Sequence, residues 1–185
     1  MNRSEIALLL HRCQAGDGQA ATQLVESYRP AVFRMALSIL DDTSEADEAA
    51  QDTLIQALNH LDTYREEGSF TNWLYKITLN VCRGRLRKRR AGEKLAQALK
   101  TLFRMDNKVN PHPEDLIIQN EVDTTIWQAI RALPEKQRLT VILRYYHALP
   151  ISEIAQVLQV SERTVHTRMR QAHSRLQVML DGKVK

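Results

Sequence analysis

Cysteine, aromatic residues, glycine and proline are all scarce in this chain, and each scarcity excludes something. The two cysteines, Cys13 and Cys82, lie far apart and outside any C-x-x-C, so neither a disulfide framework nor a cysteine-based zinc site is expected. Aromatics make up only 5% of the residues, and six glycines with five prolines are too few for the many turns of a β-sandwich. No apolar stretch approaches the ~20 residues of a membrane span. No charged-then-apolar N-terminus ends in a cleavage site, so no membrane insertion and a cytoplasmic location are expected. The six histidines form no H-E-x-x-H, and there is neither a glycine-rich phosphate loop nor a nucleophile elbow. The sequence thus offers no catalytic set, no cofactor site, no metal site and no sign of a small-molecule substrate. The acidic stretch "DDTSEADEAAQD" (41–52) lacks the converging ligands that a cation needs.

What remains is helical and charged. Hydrophobic residues make up 43% of the 185 positions and charged ones 26%, and apolar residues recur at three- and four-residue spacing without strict alternation. The expected fold class is all-α, two small helical domains joined by a flexible linker. Pro111 and Pro113 in "NKVNPHPEDL" interrupt the periodicity, which places the domains at 1–91 and 123–185 and the linker at 92–122, with a short helix at "EKLAQALKTLF". The net charge of +4 hides a segregation. Residues 1–90 hold 12 basic and 12 acidic side chains, with the acids early and the bases late, whereas residues 123–185 hold 10 and 5. Two surfaces of different sign imply two kinds of partner.

The periodicity predicts a helix from about Ser44 to Leu61, opened by a Ser44–Asp47 capping box. Ala50, Leu54, Leu58 and Leu61 fall on one face; Glu45, Glu48, Asp52, Gln56 and Asn59 fall on the other. A second helix is predicted from Phe70, with Phe70, Leu74, Ile77 and Val81 at core spacing. On the same wheel Asn72, Lys76, Asn80, Arg83, Arg87 and Arg90 form one stripe with Trp73 along its edge. Guanidiniums suit phosphates, while an indole and amides suit unstacked bases. Cys82 lies beside this basic run, where a cation can lower a thiol's pKa. A buried structural thiol is the favoured expectation.

The C-terminal part parses into helices lined by Ile126, Ile130 and Leu133, then by Leu139, Ile142, Leu143 and Tyr146 after Pro134. A short helix follows from Pro150 and Ser152, with Ile154, Ala155 and Leu158 inward. After the turn "QVS", Ser161 can cap a longer basic helix, and the pair makes a helix-turn-helix. Val165, Met169, Ala172 and Leu176 face inward on that last helix. Arg163, Thr164, His166, Thr167, Arg170 and Gln171 are the candidates for DNA contact: Arg for guanine, Gln for adenine, Thr for a thymine methyl.

These motifs, in this order, resemble bacterial RNA polymerase sigma factors of the extracytoplasmic-function type, and the likeness covers nearly the whole chain. "EADEAAQDTLIQAL" resembles the segment that binds the β′ clamp helices of core RNA polymerase, which implies contact through Glu48, Gln51, Asp52, Ile55 and Leu58. "GSFTNWLYKITLNVCRGRLRKRR" resembles the segment that melts and reads the minus-ten element. That implies roles for Asn72, Trp73, Lys76, Asn80, Arg83, Arg87 and Arg90, with the "YREEGS" loop accepting a flipped base. "LPEKQRLTVILRYYHALPISEIAQVLQVSERTVHTRMRQAHSRL" resembles the domain that reads the minus-thirty-five element and meets the β flap. The resemblance also implies an anti-sigma partner directed at the DNA-binding surfaces. Leu54 stands where an aromatic is common and Ala21 where a Phe is common. His166, Arg170 and Gln171 depart from the more frequent recognition residues, so the promoter letters are not implied. The rival reading is a helix-turn-helix regulator that binds DNA without polymerase, but residues 1–90 show no receiver or ligand-pocket pattern.

Overall fold

Two adjacent aspartates set the geometry of the N-terminal half. Asp41, in the left-handed region at φ 60°, ends one helix, and the carboxylate of Asp42 accepts the Glu45 N–H at 2.7 Å to begin the next. The computed structural model describes residues 3–65, 69–103 and 121–181. Among them the chain forms eight α-helices and no strand: α1 (Arg3–Gln14), α2 (Gly18–Leu40), α3 (Thr43–Asn59), α4 (Phe70–Phe103), α5 (Glu121–Ala132), α6 (Glu135–Val141), α7 (Ile151–Leu158) and α8 (Glu162–Asp181). The chain divides into two compact units, Met1–Glu114 and Asp115–Lys185.

In the first unit, Asp17 caps α2 by accepting the N–H groups of Gln19 and Ala20, and Arg12 holds its carboxylate at 2.7 Å. Helices α2, α3 and α4 pack against one another, and α1 closes over α2. Leu24, Tyr28, Val32, Ala50, Leu54, Leu61, Phe70 and Leu74 share the core. The cap of α3 corrects the expected Ser44–Asp47 box: the helix starts at Thr43, because Asp42 already satisfies an orphan N–H of the first turn and leaves Ser44 exposed. Helix α4 runs unbroken to Phe103, so the short helix expected at 93–103 is its continuation. Alanine, leucine, lysine and glutamine favour that continuation, and no breaker stops it. Pro111 and Pro113 lie outside the described residues.

The covered face of α4 is wider than a single stripe. Phe70, Leu74, Tyr75, Thr78, Leu79, Cys82 and Leu86 are buried, whereas Ile77 and Val81 are only half-buried. A helix that packs against two neighbours, here α2 and α3, covers about half its circumference rather than one ridge. Cys82 is completely buried, and its thiol is pushed up to about 12 by that burial. It is a structural thiol.

The second unit packs α5, α6 and α7 against α8 or its neighbours. Leu133, Leu139, Ile142, Leu143, Ile154, Val157, Val165 and Met169 are buried. Tyr146, expected on the inward stripe, is 50% exposed. The reason is a π-helical turn at Ile142–Tyr146, closed by the His147 N–H on the Ile142 carbonyl at 3.1 Å. One extra residue in the turn rotates Tyr146 outward, where it meets Trp127 edge-on at 5.5 Å. Ile126, also expected inward, is 40% exposed, and Ala129 takes the covered position on α5.

Candidate nucleic-acid and polymerase interface

The basic run of α4 serves two directions. Arg85 and Arg89 turn toward α3: Arg85 bonds Glu48 at 2.8 Å and also pairs with Asp52, while Arg89 lies 3.7 Å from Glu45. Lys76, Asn80, Arg83 and Arg87 lie on the other side of the helical wheel; Asn80 and Arg87 are exposed, Lys76 and Arg83 half-buried. Arg90 is exposed at the far end. The stripe expected from the helical wheel holds Arg83, Arg87 and Arg90 and leaves out Arg85 and Arg89, for which the sequence names no partner. Acids at 45, 48 and 52 and bases at 85 and 89 each recur at three- or four-residue intervals, so each set shares a face of its own helix, but only the docking of α3 on α4 brings the two faces together.

Arg85 spans a groove of about 570 Å³ between α3 and α4, whose walls are Glu48, Asp52 and Gln56 on one side and Asn80, Val81, Gly84 and Lys88 on the other. The acidic face of α3 and Asn80, at the edge of the α4 stripe, therefore border the same depression. Along α3, Gln51 donates to Asp47 at 2.8 Å, and Arg29 of α2 holds the other oxygen of Asp47 at 2.9 Å. Ile55 is 57% exposed on this otherwise polar face, while Leu58 is half-buried and packs on the core. An exposed isoleucine ringed by carboxylates and amides suits a partner surface that is basic with an apolar centre.

At the start of α4, Trp73 is half-buried and held by aromatic neighbours: Phe70 at 5.4 Å and Tyr64 at 5.6 Å, with Tyr28 edge-on to Phe70 at 5.1 Å. This packing fixes the indole while leaving part of it accessible. Asn72 departs from the expected open stripe. It is 7% exposed, and its Oδ1 is buried without a hydrogen-bond partner, because position 72 falls at the margin of the broad face that α4 packs inward. Asn80 is the amide left facing out. Of the expected base-accepting loop, Glu66, Glu67 and Gly68 lie outside the described residues.

On α8, Arg163, His166, Thr167, Arg170 and Gln171 are exposed, and Val165, Met169 and Ala172 are buried on the opposite side. The hydroxyl of Ser161 accepts the Thr164 N–H at 3.2 Å and lies 2.9 Å from the Thr164 hydroxyl, so Ser161 caps the helix and Thr164, half-buried, belongs to that cap. Thr167 spends its hydroxyl on the Arg163 carbonyl at 2.9 Å. With that hydroxyl engaged, the exposed Thr167 has its methyl left to offer a partner, the group suited to a thymine. Across the helix, Tyr145 meets His173 Nε2 at 2.8 Å. Gln171 bonds Gln137 of α6, a residue to which the sequence reading gave no role.

The comparisons with known proteins divide the chain in the same order. The family model of sigma-70 region 2 matches residues 24–92, and that of sigma-70 region 4 matches residues 124–176. The RNA polymerase sigma-H factor of Pseudomonas aeruginosa is 31% identical over 166 residues, spanning 87% of this chain and 86% of that protein. The ECF RNA polymerase sigma factor SigW of Bacillus subtilis is 27% identical over 176 residues, 92% of this chain and 94% of the relative. Among solved structures, CnrH in complex with the cytosolic domain of CnrY superposes with a TM-score of 0.67 at 24% identity, covering 95% of this chain and 96% of that one. The sigma factor RpoE of Bartonella quintana, in complex with the anti-sigma factor NepR, gives 0.66 at 22% identity, covering 86% and 96%. At such identities these two structures carry over the fold.

Proposed function

The chain belongs to the sigma-70 family, as an RNA polymerase sigma factor of the extracytoplasmic-function type, and we propose how its surfaces divide the work of binding core polymerase and directing promoter recognition, DNA melting and transcription initiation. Residues 1–91 carry polymerase binding and the minus-ten element, residues 92–122 connect, and residues 123–185 read the minus-thirty-five element and meet the β flap. The chain itself makes and breaks no covalent bond; the polymerase does that chemistry. No helix among the described residues is long and apolar enough to cross a membrane, and we place the protein in the cytoplasm with the polymerase.

The outward face of α3, with Glu48, Gln51, Asp52 and Ile55 and with Leu58 beneath, docks on the β′ clamp helices. Ile55 supplies the apolar centre and the carboxylates the rim. Lys76, Asn80, Arg83, Arg87 and Arg90 then follow the unpaired strand at the upstream edge of the bubble. Trp73, braced by Phe70 and Tyr64, offers a stacking edge. Base flipping costs a few kcal/mol, which stacking at ~1–3 kcal/mol per base can offset. Asn72 supports this end of α4 from its covered position. Helix α8 enters the major groove with Arg163, His166, Thr167, Arg170 and Gln171 toward the bases. Two modest contacts on one chain gain from effective concentration. An anti-sigma protein that covers these DNA-binding faces would switch the factor off.

The observation that supports this reading best is the division of the basic run. Arg85 and Arg89 turn back onto α3, while Asn80 and Arg87 are left open on the side where a strand would run. The test is Ile55→Arg, a change at an exposed position outside the ion pairs. Holoenzyme assembly should weaken at least ten-fold with the fold intact by circular dichroism; assembly at wild-type affinity would overturn the α3 docking surface.

A further inference from the structure

Gln137 stands in the first turn of α6 and is 8% exposed. A carboxamide that deeply covered ordinarily has both ends bonded, yet this one has a single partner. Its Nε2 donates to Oε1 of Gln171 on α8 at 3.1 Å, and its own Oε1 is buried with no hydrogen-bond partner. A half-satisfied amide is a poor way to hold two helices together, since the unpaired oxygen loses its water and gains nothing in return. A methionine of similar volume would serve packing better. The arrangement makes sense in terms of what it does to Gln171.

Gln171 is exposed on the outward side of α8, opposite the buried Val165, Met169 and Ala172. An untethered glutamine there samples many rotamers and both amide orientations, and must give up that freedom on meeting a base. Here its carbonyl oxygen is tied from below by Gln137, and the free end is the NH2 group with its two protons. A glutamine that reads adenine uses both ends, oxygen to the N6 amino group and nitrogen to N7. With the oxygen already holding one donor, the side chain presents mainly its two N–H groups; guanine meets them with two acceptors (O6, N7) and thymine with one (O4), whereas adenine sets its single acceptor, N7, beside an amino group that needs the engaged oxygen.

We propose that Gln137 is a positioning residue for promoter reading: it holds Gln171 with its amide NH2 outward, so that Gln171 selects a base-edge acceptor in the upstream element. This deepens, and rests on, the reading that α8 lies in the major groove. It also revises the expectation that Gln171 reads adenine.

The experiment uses the full chain with core polymerase on a promoter library randomised across the upstream element, comparing the wild type with Gln171→Ala, Gln137→Met, the double variant and Gln137→Glu. Gln171→Ala should erase a preference of about ten-fold for guanine or thymine at one position. Gln137→Met should reduce the preference at that same position to two- or three-fold, leave the other positions unchanged, and melt no lower than wild type. The double variant should match Gln171→Ala. Gln137→Glu, which can only accept, should turn the Gln171 oxygen outward and move the preference toward adenine or cytosine, whose amino groups donate. A wild-type preference for adenine at that position would overturn the amide orientation. Gln137→Met with the full wild-type preference, or with equal loss at every position, would reduce Gln137 to packing. If Gln171→Ala shows no position-specific effect, the major-groove placement of Gln171 fails and the positioning role falls with it, so the two failures are distinguishable.

Discussion

Arg85 on α4 lies 2.8 Å from Glu48 on α3 and also pairs with Asp52, one turn further along the same helix. One guanidinium thus joins the helix assigned to polymerase docking and the helix assigned to the opened promoter strand. The Arg85 side chain is 23% exposed, but its partners are 63% and 49% exposed, so solvent screens much of the attraction. Replacing Arg85 with Gln should therefore cost only ~1 kcal/mol of stability at low salt, and roughly half of that at 1 M salt. Urea denaturation at two ionic strengths measures both values. A loss independent of salt would mean that Arg85 acts through the packing of its aliphatic stem.

Cys82 makes a second prediction, about reactivity and pH. With the thiol completely buried and pushed up to about 12 from an ordinary 9.0, essentially no thiolate exists near neutrality. Under native conditions a thiol reagent should modify Cys13, which is half-buried and whose thiol is raised by burial and the nearby Asp17, and reach Cys82 only on unfolding. The sign with pH follows from linkage. A folded pKa above the unfolded one means the folded state keeps its proton longer, so stability is full below about 9 and falls as pH rises toward about 12, by at most ~4 kcal/mol. Cys82→Ala should lack that alkaline slope, so the gap between variant and wild type should narrow as pH rises in this window.

What could be read ahead of the structure was local. The inward stripe Val165, Met169 and Ala172 follows from spacing within one helix, and so does the Ser161 cap, because both depend on residues three or four positions apart. What could not be read depends on neighbours. Asn72 is covered because α4 meets two helices, and helical periodicity does not say how many partners a helix has. Tyr146 turns outward because one residue is inserted in a π turn, which shifts every later position on that face. Arg85 and Arg89 belonged visibly to a basic run, but which arginines face acids and which face solvent depends on how α3 and α4 dock. The binding of Gln171 to Gln137 joins residues 34 apart and has no local signature.

Ala148 illustrates a position that the sequence concealed because it is not glycine. It has φ 53° in the link between the π turn and α7, where a Cβ crowds its own carbonyl at a cost of ~1–2 kcal/mol. Ala148→Gly relieves that cost and adds ~0.4–1 kcal/mol of unfolded-chain entropy against folding. The net should be a gain of ~0.5 kcal/mol, seen as a rise of a few degrees in the melting temperature of the second unit. Glycine introduced at an α8 surface position such as Ser174, which is exposed in a helix interior, should instead lower stability. Equal effects at both sites would show that Ala148 carries no backbone strain.

The promoter-opening role proposed for the α4 stripe can be separated from the fold by choosing residues with different burial. Asn80 is exposed, so Asn80→Ala should change stability by less than ~0.5 kcal/mol. If its amide holds the unpaired strand, opening should nonetheless slow several-fold, measured by permanganate reactivity of thymines in the bubble. Trp73 is a different case, since its ring packs on Phe70 and Tyr64. Trp73→Ala should lose both opening and ~1–3 kcal/mol of stability, less than the full cost of deleting a wholly buried aromatic. Trp73→Phe should restore most of the stability, because a smaller ring still meets the aromatic pair. It should restore opening only in part, because less stacking surface reaches the strand. Opening that tracks the folded fraction across all three variants would assign the indole to the core and leave the strand to the amide and the cations.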